Sequence, residues 1–292
     1  MSRNRTRQRI MHARTGSALF VCPLLVCLLF IWGALGGAGR QATAQPVNYR
    51  LVNPGYLTVA THGSLPPEIV VGPGDTLGGM DGVLYNAFVK DHGLKLKLFQ
   101  TTFPSMILAV EQGKVDAGEG VFYTAERAKH VYYTYPFYVT RAVMFTLKSF
   151  PYTGPASMDG KRVATVIGYV WAPYLQKWSA SGAALFPDEV SAVQALLNGL
   201  VQGYVNGNGG PMQPNVTYHP LHPGDFGFPE SVLSNIAYNI VNCKNREMAD
   251  ALNEELMKLH KSGEWQKALK ANGLAMEDDA ELKSPEQVCS GG

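Results

Sequence analysis

Arg127 stands three residues after Thr124 in the run Thr124-Ala125-Glu126-Arg127-Ala128-Lys129. A guanidinium presents its N–H donors in a rigid planar fork that matches both oxygens of a carboxylate, so an arginine held in a cleft selects acids. Thr124 at this spacing is a candidate helix N-cap, and a helix starting there would bring amide N–H groups that favour an anion to the same place. The competing reading pairs Arg127 with Glu126 or Asp116 on the surface. Upstream, Glu119, Gly120 and Phe122 share a short stretch. Glu119 either meets a cationic group of a ligand or is a solvated loop residue.

His62 lies in the loop Thr61-His62-Gly63-Ser64-Leu65-Pro66-Pro67, where two successive prolines fix φ and remove donors. It either faces a cleft and donates to a ligand or is a lone exposed histidine. Sheltered from water, His62 or Glu119 could act as an acid or base, but no paired nucleophile and base accompanies them, so binding is expected rather than turnover. Phe122, Tyr169 and Trp171 could stack on a flat group or hold an alkylated ammonium by cation–π attraction. Tyr132, Tyr133, Tyr135, Phe137 and Tyr138 read as core. His219, His222 and Asp225 have a loose metal-like spacing, yet Pro220, Pro223 and Gly224 among them read as a rigid exposed loop, and neither metal nor cofactor is expected.

These residues need strands and helices to hold them. Residues 56–60 read as a strand whose end delivers the His62 loop, a good location for holding a ligand. Residues 82–92 place Val83, Leu84, Ala87 and Phe88 on one side at helical spacing, with Gly93 to stop the helix. Leu94, Leu96 and Leu98 alternate with Lys95 and Lys97, the period of a strand with one wet face, and Pro104 opens a second helix through Val110. This alternation argues for βαβ layering. After a short strand from Val115 and a stronger one over 141–147, a second such unit follows. It has a strand at 162–167, a helix at 171–179, and a helix at 188–198 capped by Asp188 with Val190, Val193, Leu196 and Leu197 inward. Strand candidates at 201–205 and 216–219 close it. Residues 231–241 return as a strand, 245–260 form a helix with Met248, Ala251, Leu252, Leu256 and Leu259 on one face, and 265–270 form a last short helix.

The first residues carry Arg3, Arg5, Arg7, Arg9 and Arg14 without an acid, then an apolar stretch over 18–34 and the sequence Ala42-Thr43-Ala44. Basic head, apolar middle and small-residue exit form an export signal cleaved after Ala44; the alternative is an uncleaved anchor. That leader holds six of the 25 Lys and Arg residues and none of the 23 acidic ones, so the remainder has 19 basic residues and a formal charge of −4. Such a balance argues against a nucleic-acid binder. About 248 residues remain, enough for two modest domains. Of the four cysteines only Cys243 and Cys289 survive cleavage; they either pair, as an oxidising compartment permits, or leave Cys289 free on a loose polar tail.

The runs Glu111-Gln112-Gly113-Lys114-Val115-Asp116-Ala117, Thr124 to Lys129 and Tyr133-Thr134-Tyr135-Pro136-Phe137-Tyr138 resemble the family 3 extracellular solute-binding proteins, the polar amino-acid-binding components of ABC importers. Gly160-Lys161-Arg162-Val163 and Lys261-Ser262-Gly263-Glu264-Trp265 support the likeness, which covers 56–273. The resemblance implies an α/β, type II periplasmic binding protein fold of two lobes joined by two crossing strands. The first lobe would comprise 45–147 and 229–275, the second 148–228, with a poorly ordered polar tail at 276–292. It implies a periplasmic monomer that closes over its ligand by hinge motion and hands it to a membrane permease. It also puts Arg127 on the ligand's carboxylate.

Departures accompany the likeness. Relatives usually offer small or hydroxyl residues around Glu119, Gly120 and Phe122, two acids after the glycine equivalent to Gly82, and an aspartate for the α-ammonium where this chain has Gly207. Asn206 beside it can hydrogen-bond an ammonium without neutralising it. The expected ligand is a small carboxylate, an amino acid or derivative, whose ammonium is absent, shielded by methyl groups or held elsewhere, for example by Glu119. A dehydratase-like enzyme of the same fold and a ligand sensor are the alternatives.

Overall fold

The computed structural model describes residues 49–208, 213–274 and 282–290; the leader expected at 1–44 lies outside them. β1 (Tyr56–Thr61) is buried in all but its first residue. A hairpin of β2 (Val70–Gly72) and β3 (Thr76–Gly78) leads into α1 (Gly79–Asp91), then β4 (Lys95–Gln100), α2 (Phe103–Glu111) and β5 (Ala117–Phe122). β1 pairs in parallel with both β4 and β5, as helical crossovers require. The short hairpin has too few residues to display a period in sequence.

β6 (Val131–Leu147) runs for 17 residues, where only its last seven were expected as strand. It pairs with β11 (Ser234–Asn242) as far as Arg141 and from Ala142 onward with β9 (Gly203–Gly207) and β10 (Val216–Pro220). One strand thus belongs to both lobes. Between β6 and β9 come β7 (Val163–Val166), α3 (Ala172–Trp178), β8 (Ala183–Phe186) and α4 (Glu189–Leu197), with β7 parallel to β8 and β9. The sheet path reads β4-β1-β5-β11-β6-β9-β7-β8. α5 (Arg246–Ser262) and α6 (Glu264–Ala271) return to the first lobe, whose core includes Leu57, Phe88, Leu252 and Trp265. Phe145, Leu196 and Tyr204 form the second lobe's core.

Two expectations are corrected here. In α4 the buried residues are Glu189, Ala192, Ala195 and Leu196, while Val190 is 59% exposed. Asp188 does cap the helix, accepting from Ser191 N–H at 2.7 Å, and the resulting phase turns Glu189 inward, where polar partners await it. The tail is not loose in its described part: Cys289 is disulfide-bonded to Cys243 with Cα atoms 5.8 Å apart. The Gln287 side-chain amide also accepts from the Tyr133 N–H at 3.0 Å and donates to its carbonyl at 3.1 Å, tying the tail to β6.

Candidate ligand cleft

Where the lobes meet, a cavity is lined by His62, Leu65, Glu68, Ile69, Phe103, Gly120, Phe122, Arg127, Tyr138 and Thr140 from one side. Tyr169, Val170, Trp171, Asn206 and Gly207 line the other. His62, Gly120, Phe122, Arg127, Tyr169, Trp171 and Asn206, all singled out from sequence, therefore converge. Thr124 and Glu119 support the wall from behind.

Arg127 follows β5 on a tight turn. Its N–H donates to Thr124 Oγ1 at 3.1 Å, the capping contact expected, but the helix there is a single 3-10 turn over Arg127–Lys129. So short a turn has little dipole, and the anion-attracting field is that of the guanidinium itself. Nη1 donates to the Phe122 carbonyl and Nη2 to the Gly168 carbonyl of the other lobe, each at 2.7 Å, and Cζ lies 5.0 Å from the Phe103 ring centroid. The surface-pairing alternative fails because both acids are engaged elsewhere. Glu126 pairs with Lys129 and His130, and Asp116 accepts the N–H groups of Val52 and Thr58 at 2.7 Å. Burial lowers the Arg127 pKa, yet a guanidinium keeps its charge. A cation bonded to neutral carbonyls thus faces the cleft.

Glu119 is not a solvated loop residue: it is fully buried on β5. Its Oε1 accepts the His62 N–H at 3.1 Å, and His62 Nδ1 lies 3.3 Å from the same oxygen. His62 is buried rather than exposed, and its Nε2 is 2.9 Å from the Tyr169 hydroxyl, which donates to Glu189 Oε1 at 2.5 Å. Asn206 Nδ2 donates to Glu189 at 3.1 Å and to the Tyr204 hydroxyl at 2.8 Å. A continuous polar chain, Glu119–His62–Tyr169–Glu189–Asn206, thus crosses from lobe to lobe.

Sequence reasoning missed three buried acids, Glu68, Asp81 and Glu189. Glu68, Asp81, Glu119 and Glu189 are each at most 5% exposed, and of these only Glu119 had been a candidate. Desolvation raises all four pKa values, bringing Glu68 and Glu119 from the ordinary 4.5 to about 8. Asp81 immediately precedes Gly82, so one acid does occupy this helix start. Tyr138, expected as core, lines the cleft. The only advance signal was Glu68 itself, a charge directly after the stiff Pro66-Pro67 pair. Its loop is pinned to α1: Met80 and Asp81 N–H groups donate to the Pro67 and Glu68 carbonyls at 3.3 and 3.1 Å. Gly79, at φ +72°, is required there because a Cβ would collide with those same carbonyls.

Gly207 also has a physical reason. A Cβ at that position would run into the Thr140 hydroxyl, which is held by Asn208 on both its donor and acceptor sides. No aspartate fits there as the lobes stand. Among the described residues no group of three or more His, Cys, Asp or Glu is placed to hold a metal ion; His219 Nε2 instead lies 3.0 Å from Thr146 Oγ1.

No curated protein matches the chain in sequence. Solved structures do match in fold. A periplasmic binding protein of Salmonella typhimurium described as highly arginine-specific has 21% identity and a TM-score of 0.65 over 74% of this chain and 98% of its own. An ancestral arginine-binding protein bound to glutamine has 23% identity and a TM-score of 0.64 over 75% and 97%. A histidine kinase sensor domain similar to periplasmic binding proteins has 19% identity and a TM-score of 0.62 over 76% and 98%. Two lobes sharing the long strand β6, with a charged cleft between them, agree with the match of residues 57–273 to the family described as bacterial extracellular solute-binding proteins, family 3, and the chain belongs to that family.

Proposed function

We propose that this protein captures a small carboxylate-bearing solute, an amino acid or derivative, outside the cytoplasm and delivers it to the membrane permease of an ABC importer. The observation that carries the reading is Arg127: its guanidinium lines the cleft, is held by two neutral carbonyls, and keeps further donors for an anion. Phe103, Phe122 and Trp171 around it lower the local polarity and strengthen any ion contact made there. Binding proteins whose descriptions name arginine, glutamine or an amino acid ABC transporter share the fold, which supports the amino-acid class. The α-ammonium place beside Gly207 has no carboxylate of its own, so any cation is held elsewhere. Export is by the leader at 1–44, with cleavage after Ala44, and the mature protein acts as a periplasmic monomer. A thermal-shift screen of amino acids, betaines, dicarboxylates and aromatic acids tests the ligand class. Stabilisation only by solutes without a carboxylate would overturn it.

A sensing role is the second reading, favoured by one observation: a histidine kinase sensor domain matches the fold over 76% of this chain. Co-purification of the tagged protein with a permease, or instead with a kinase, separates the two.

A further inference from the structure

We propose that Glu68 is the cation-recognising residue of the cleft, taking an ammonium or guanidinium group of a zwitterionic solute whose carboxylate lies on Arg127. This rests on the carboxylate reading of Arg127 given above. Glu68 lines the cavity, is 2% exposed, and its Oε2 has no hydrogen-bond partner among the described residues. A buried carboxyl oxygen left unpaired beside a binding cavity is costly unless something else satisfies it. The loop that carries it is pinned to the start of α1 through the Pro67 and Glu68 carbonyls, so the Glu68 backbone is fixed before any ligand arrives.

The surroundings decide which kind of group fits. Glu68 feels Asp81 and Glu189, and Asp81 in turn feels Glu119, so the one acid that lines the cavity is backed by further buried carboxyl groups. Tyr138 and Tyr204 also face them, while His62 and Arg127 line the same cavity. Arg127 keeps its charge, and an acid and a guanidinium lining one cavity offer complementary partners to a dipolar solute. With Glu68 raised to about 8, the carboxyl is mostly protonated at neutral pH, and an arriving cation favours its ionised form. Binding then transfers that proton to solvent as the O–H of Glu68 gives way to an ion pair with the solute.

The experiment uses three probes of one chain length: L-arginine, L-citrulline, which lacks the side-chain cation, and 5-guanidinopentanoate, which lacks the α-ammonium. Each is titrated calorimetrically into wild type, Glu68→Gln and Arg127→Ala at pH 7, in two buffers of different ionisation heat. In wild type, loss of one cation is expected to weaken binding at least about tenfold, and L-arginine to release a substantial fraction of a proton. In Glu68→Gln the same loss should cost under about threefold and the proton release should shrink. Equal discrimination and equal proton release in Glu68→Gln overturn the assignment, as does tighter binding of L-glutamate than of all three probes, or no binding of any probe by wild type. Arg127→Ala should weaken all three together; if it does not, the carboxylate reading falls on its own, whatever Glu68 does.

Discussion

Replacing Tyr169 by phenylalanine removes one hydroxyl from the polar chain between the lobes and leaves the ring packed against Phe103, 4.9 Å away between centroids. The two bonds lost belong to different equilibria. The bond to Glu189 at 2.5 Å lies within the second lobe and survives opening, whereas the contact with His62 at 2.9 Å exists only when the lobes meet. A bond to a charged or strongly polar acceptor contributes about 1.5–3 kcal/mol and a neutral one about 0.5–1.5 kcal/mol, so unfolding stability should fall by about 2–4 kcal/mol. The closing equilibrium loses only the His62 contact, a shift of roughly two- to tenfold toward the open form. Chemical denaturation reads the first quantity. Spin or fluorophore labels placed one on each lobe read the second. A His62→Gln change in the Tyr169→Phe background should add little further opening, because the shared contact is already gone. An unfolding midpoint unchanged by Tyr169→Phe, or opening unaffected by it, would refute this role of the Tyr169 hydroxyl.

Three further outcomes follow from the same geometry. Glu68 and Glu119 have folded-state pKa values raised to about 8, so their contribution to stability is full below about 4.5 and is lost as pH climbs through about 8. His62, lowered by burial, acts only below its ordinary 6.5 and in the opposite sense, so from pH 6.5 to 8.5 the melting temperature without added ligand should fall, and fall less in Glu68→Gln. Cys289→Ser opens a loop spanning 46 residues; a loss of about 2–4 kcal/mol, or roughly 5–15 °C in a thermal scan, is expected, and no change would mean the tail is held without it. Gly207→Asp, which installs the acid that the family resemblance leads one to expect there, should destabilise by about 1–3 kcal/mol through collision with Thr140, with partial recovery on adding Thr140→Ala; a fully stable single variant would contradict the steric account.

Most of the framework was legible because its signals are local. The alternation of Leu94, Leu96 and Leu98 with lysines gave β4, and Asp188 gave the start of α4 at the position where its carboxylate caps the helix. The cleft residues carried by family-like motifs, Arg127 above all, were legible for the same reason. What escaped depends on distant contacts. Glu189 drew no reading because helical periodicity counts apolar residues, whereas its burial is decided by Tyr169 and Asn206 on other elements. Val190, apolar and 59% exposed, is the mirror image of the same error. Glu68 and Asp81 escaped because burial of an acid has no period at all. The first part of β6 was read as aromatic core without a strand, since Tyr133, Phe137 and Tyr138 are buried in both descriptions.

The carboxylate reading of Arg127 is tested most directly by calorimetry of wild type and Arg127→Ala with the tightest-binding acid from the ligand screen, alongside that acid's amide. Truncating one partner of a buried charge-assisted contact costs about 2–5 kcal/mol, which is roughly 30-fold to several-thousand-fold in Kd. Loss of that size for the acid, with the amide already weak and indifferent to the substitution, is the predicted result. Equal affinity of wild type and Arg127→Ala for the acid would contradict it.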